Sequence, residues 1–126
     1  MDYQASLDRV RSLSSAKPGT SHWWLQRVTA VVLIPLSYWL IVLLDLSFNA
    51  SYQDTVIWLS SPVNAVSIIL WVVSVFYHSA LGLQVVIEDY VSEGRLKKTA
   101  IWSVNLIFLV LALAALIAVF RIIFTG

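Results

Sequence analysis

VNAVSIILWVVSVFYHSALGLQVVI occupies residues 63–87 and contains no charged side chain. A helix that crosses a hydrocarbon core needs roughly 20 apolar residues, and this run exceeds that length. Because lipid offers the backbone no hydrogen-bond partners, such a run is expected to fold as a transmembrane helix. Two runs of similar length flank it. Residues 28–48, VTAVVLIPLSYWLIVLLDLSF, include Pro35, where a modest bend is expected. Residues 100–124, AIWSVNLIFLVLALAALIAVFRIIF, are aliphatic apart from Asn105 and an Arg121 that can snorkel to the interface. The expected fold is therefore all-α, an integral membrane protein with three transmembrane helices over about 28–48, 63–87 and 100–124.

Composition agrees with that reading. The 126 residues are 60% hydrophobic, with a mean hydropathy of +0.84, against about 45–50% apolar in ordinary soluble domains. A net charge of +1 provides no clustered basic surface, so nucleic acid is excluded as a partner. With no cysteine, the chain holds no iron–sulfur cluster, disulfide or thiolate zinc site, and such centres must sit on other subunits. The first apolar run begins only near Trp23 without a small-residue cleavage pattern, so the N-terminus is expected to be retained. Residues 1–22, with the stretch SLSSAKPG, are expected as an interfacial arm, and residues 23–126 as the membrane anchor domain.

Basic residues set the expected orientation. Arg9, Arg11, Lys17 and Arg27 precede or open the first span, and Arg95, Lys97 and Lys98 lie in the second connection. Around the first connection the charges are Asp45 and Asp54. Lys and Arg are retained on the cytoplasmic or matrix side, which places the N-terminus inside and the C-terminus outside.

His78 is the most informative residue in the apolar runs, since an imidazole deep in lipid is costly without a partner or ligand. Counting from residue 87 puts it roughly 13 Å from the inner edge. It serves either as a structural histidine bonded across helices or as the holder of a buried cofactor. Gly82, four residues on, shares its face and leaves room for a flat macrocycle or for a close helix. Asp89 returns to within about 20° of the same face, so one stripe joins the mid-membrane to the inner surface. There Glu88, Asp89 and Tyr90 read either as a solvated helix end or as a quinone site, the phenol donating a hydrogen bond and a carboxylate passing protons. Arg27, at the same level, is either a positive-inside anchor or a partner for a haem propionate. His22, the other histidine, lies at the interface and is a poor mate for a ligand at His78 depth, so a second axial ligand must come from another chain.

HSALGLQVVIEDYV, residues 78–91, resembles the second-helix motif of the succinate dehydrogenase hydrophobic membrane anchors, the smaller D-type subunits. WLQRVTA, residues 24–30, resembles that family's Arg-x-Thr-Ala opening of the first span, and the likeness covers essentially the whole chain, in the style of alphaproteobacterial or mitochondrial-lineage members. The resemblance implies a subunit, not an enzyme by itself, in an inner membrane of the electron transport chain. It implies a haem b with His78 as axial ligand, the other supplied by a cytochrome b556 anchor subunit, and Arg27 at a propionate. It also implies a ubiquinone site in which Tyr90 bonds a quinone oxygen and Asp89 tunes it, with flavoprotein and iron–sulfur subunits docked alongside. The alternatives are a small proton-relay or transport protein using His78 and Asp89, and the anchor of a quinol:fumarate reductase.

Overall fold

The computed structural model describes residues 3–7 and 17–126. Arg9, Arg11 and half of the expected interfacial arm, residues 1–2 and 8–16, lie outside the described residues. Residues 3–7 form a short helical stretch, and four longer helices follow in order: α1, Lys17–Asn49; α2, Tyr52–Ser60; α3, Pro62–Tyr90; and α4, Gly94–Thr125. Three of them are long and apolar enough to cross a membrane, over Ser21–Asn49, Pro62–Tyr90 and Gly94–Thr125.

Each span outruns the stretch that hydropathy marks. Helix α1 begins at Lys17, not near residue 28, with Pro18 in its first turn, where a missing N–H leaves no intrahelical bond unmade. Propagation then adds one hydrogen bond per residue, so the tryptophans, Gln26 and Arg27 extend the helix beyond the hydrocarbon run. Helix α4 likewise begins at Gly94 and takes in Arg95, Lys97 and Lys98, which shortens the second connection to residues 91–93. Hydropathy reports the solvent a segment prefers, whereas helix ends follow backbone hydrogen bonding. Pro35 sits inside an uninterrupted α1.

The first connection is more ordered than its sequence suggests. Ser51 caps α2, its hydroxyl accepting from the Asp54 N–H at 3.1 Å, and Asp54 itself lies in the first turn where the helix dipole favours an acid. Pro62 then opens α3 at a position that has no intrahelical N–H bond to lose. Helix α2 packs on all three long helices, and its Leu59, only 2% exposed, is the plug at that end.

Helix α3 is the centre of the molecule. α1 and α4 each pack along it, and their backbones do not approach one another closely among the described residues. Of the buried residues, Ala65, Ser67, Ile68, Val72 and Leu81 all lie on α3, and the most apolar stretches of α1 and α4 are 0% and 6% buried. Inside lipid those exposed faces cost nothing, and apolar contact between helices gains little over contact with lipid tails. Polar rungs therefore matter to the α1–α3 pair. Trp39 Nε1 donates to Asn64 Oδ1 at 3.1 Å, while Asn64 Nδ2 donates to the Trp58 carbonyl of α2 at 3.0 Å. Trp71 Nε1 donates to Ser37 Oγ at 3.2 Å, and that hydroxyl turns its own proton to the Leu33 carbonyl at 2.6 Å. Membrane hydrogen bonds of this kind contribute about 0.6 kcal/mol on average, up to about 1.7. Asn64→Ala breaks two of them and orphans an indole N–H, so a loss of about 1–2 kcal/mol is expected in unfolding from mixed micelles; a change near zero would show that the rung is incidental.

Candidate functional site

Below the tryptophan rungs the α1–α3 seam carries one more cross-link and then opens. Thr29 Oγ1 lies 3.0 Å from His78 Nδ1, in a half-buried contact that joins the two helices. Beyond it a cavity of about 610 Å³ runs along the seam. Helix α1 lines it with His22, Trp23, Gln26, Arg27 and Ala30; α3 contributes His78, Leu81, Gly82, Gln84, Val85 and Glu88. On α3 the outermost of these positions, His78 and Glu88, lie ten residues apart, about 15 Å of rise, so the cavity reaches from His78 to near the helix end.

The residues singled out from the sequence divide into two groups. His78, Gly82 and Arg27 share the cavity wall. Asp89 and Tyr90 do not: both are exposed at the end of α3, Tyr90 by 84%. The acid that reaches the cavity is Glu88, whose Oε1 accepts from Gln84 Nε2 at 3.1 Å one turn earlier. An ideal helix puts Asp89 nearest to the histidine's face, but the cavity is defined by two helices, and α1 covers the side of α3 on which Glu88 stands.

Arg27 lies over the Trp23 ring, 5.4 Å from its centroid, which holds the cation at the cavity mouth. Gly82 leaves less room than its lack of a side chain suggests, because a Cβ there would meet Gln26 Nε2 at 3.5 Å. That is ordinary van der Waals contact. Gly82→Ala is accordingly expected to leave the chain as stable or to gain up to about 1 kcal/mol from reduced backbone entropy, read by thermal unfolding in detergent. Destabilisation would mean that the α1–α3 seam is tighter than this spacing.

Thr29, Gln26, Glu88 and His22 join the site only through the tertiary structure. Gln26 Oε1 is buried without a hydrogen-bond partner, the one such side-chain atom among the described residues. His22 and Thr29 are seven residues apart, nearly two full turns, so they share a face of α1, and that spacing was the signal available in the sequence. The separation of about 10.5 Å along the axis keeps His22 well below His78. No group of three or more His, Cys, Asp or Glu side chains converges among the described residues.

Residues 1–120 match the family described as the succinate dehydrogenase/fumarate reductase transmembrane subunit. The chain belongs to that family. It is 38% identical over 120 residues to the succinate dehydrogenase hydrophobic membrane anchor subunit of Rickettsia bellii, covering 94% of this chain and 95% of the relative. The namesake subunit of Paracoccus denitrificans is 29% identical over 114 residues, covering 90% and 88%. The succinate dehydrogenase membrane anchor subunit of Reclinomonas americana is 35% identical over 94 residues, covering 72% and 78%. No solved structure matches the chain with significance. As a member of this family, the chain is a membrane subunit, in keeping with its three apolar helices.

Proposed function

We propose that this chain is the membrane anchor of a succinate:ubiquinone oxidoreductase and that the imidazole of His78 would help to hold a haem b. The observation that carries this reading is the single intramembrane imidazole, cross-linked to Thr29 through Nδ1 and lining a cavity with a cation at its mouth. His78 Nε2 makes no hydrogen bond among the described residues, and the residue lines the cavity. Arg27, over the Trp23 ring on the wall of the same cavity, supports the reading, because a guanidinium there would neutralise a propionate. Gly82 forms part of the wall against which the macrocycle would rest. The haem, when bound, supplies a one-electron store between the iron–sulfur centres and the quinone.

The companion histidine belongs to a second anchor subunit, the cytochrome b556 chain, since His22 lies too far along α1 to complete the pair. Flavoprotein and iron–sulfur subunits dock at the end where α1 begins and α3 meets α4. That end carries Arg27, Arg95, Lys97 and Lys98, and the positive-inside rule turns it to the cytoplasm or matrix. Tyr90 and Asp89 project from it, and their exposure leaves them free to meet a partner subunit. Quinone reduction takes two electrons and two protons; Tyr90 donates a hydrogen bond to a quinone oxygen, and Asp89 relays protons from the aqueous side. The electrons arrive from succinate through the partner subunits.

A dithionite-reduced minus oxidised spectrum of the detergent-extracted complex, with its co-purifying subunits identified, tests the assignment. A b-type signal with a flavoprotein and an iron–sulfur protein is expected. A colourless chain purifying alone would overturn it in favour of a proton relay.

A further inference from the structure

The hydroxyl of Thr29 has three neighbours: the Leu25 carbonyl at 2.7 Å, the Gln26 carbonyl at 3.1 Å and His78 Nδ1 at 3.0 Å. A threonine hydroxyl has one proton and can accept through its lone pairs. Both carbonyls can only accept. Were the proton directed at Nδ1, the hydroxyl oxygen would face two carbonyl oxygens with no hydrogen between them. The shortest contact, to Leu25, therefore takes the proton, and the oxygen's lone pairs are left to face Nδ1. A contact of 3.0 Å then requires the hydrogen to sit on Nδ1. In the neutral ring the lone pair must be on Nε2, the nitrogen that bonds nothing else in the described chain.

We propose that Thr29 is a positioning residue for His78, fixing the Nδ1–H tautomer and the ring's orientation so that Nε2 presents its lone pair to the α1–α3 cavity. The geometry stands on this chain alone; its purpose rests on the reading of His78 as an axial ligand. The outer partner of a ligating histidine generally sets its tautomer, and removing such a partner weakens binding of the metal group by roughly 10–100-fold. Here that partner is a neutral hydroxyl supplied by the neighbouring membrane helix. Its ability to accept depends on the turn of α1 in which its own proton is already committed.

Two measurements separate the tautomer from the ligand role. In the full chain, labelled with 15N-histidine and placed in lipid nanodiscs, only His22 and His78 give imidazole signals, and a His22→Gln variant assigns them. His78 is expected to be protonated at Nδ1 in the wild type and in Thr29→Ser, and to populate both tautomers in Thr29→Val. In the intact complex, Thr29→Val is expected to weaken haem retention by roughly 10–100-fold and to shift its midpoint potential, with Thr29→Ser restoring both. An Nε2–H tautomer in the wild type, or Thr29→Val with the wild-type tautomer and haem retention, would overturn the proposal. Should His78→Ala keep the b-type spectrum, the axial-ligand reading fails, and the nanodisc spectrum still decides the tautomer.

Discussion

Replacing His78 by alanine in the assembled complex is expected to cut haem b per flavin at least about tenfold, more than the loss of an outer-shell partner would, while succinate still reduces an artificial dye. The imidazole is the chain's only axial ligand candidate within the span. His22 cannot stand in, because it enters the same cavity about 10.5 Å further along α1. The substitution also removes the Thr29 cross-link between α1 and α3, so some loss of complex stability should accompany it. Dye reduction is the control, since that chemistry belongs to the peripheral subunits. An unaltered b-type spectrum normalised to flavin would reduce His78 to a structural histidine bonded across helices.

Tyr90→Phe separates quinone chemistry from assembly. The change removes one hydroxyl from a side chain that is 84% exposed and packs on little of its own chain, so neither folding nor haem content should alter. A hydrogen bond to an oxygen that gains charge on reduction is worth about 1.5–3 kcal/mol, which predicts a fall of roughly 10–150-fold in succinate:quinone turnover with dye-linked activity unchanged. Wild-type quinone turnover would take Tyr90 out of the site and return the Glu88-Asp89-Tyr90 run to a solvated helix end. Glu88→Gln is the informative companion, because Glu88 and not Asp89 lines the cavity beside His78. It should act on the haem side, with a change in midpoint potential larger than any change in quinone turnover.

The three spans, the isolated histidine and the exposed end of the second span at residues 88–90 were legible in the sequence, because each follows from a local balance. Twenty or so apolar residues choose lipid over water whatever surrounds them, and a titratable side chain among them is conspicuous for its cost. The motif of residues 78–91 also pointed to the family that residues 1–120 match. Helix ends were less legible: α1 starts at Lys17 and α4 at Gly94 because backbone hydrogen bonding continues through interfacial Trp, Arg and Lys. The capped helix α2 was hidden in a stretch too short and too mixed for periodicity to register.

Which residues meet across the seam was decided by tertiary structure alone. The face of α3 that carries His78 also carries Gly82 and nearly carries Asp89, but the packing of α1 selects Glu88 for the cavity and leaves Asp89 outside. The partner of His78 could not be read from spacing on α3, because Thr29 lies 49 residues away. Sequence determines what a helix must bury or expose in lipid, one span at a time. Pairing, and with it the tautomer of a histidine, depends on the rotation of two helices about their own axes, which is fixed by the Trp39–Asn64 and Trp71–Ser37 rungs and the close packing between them.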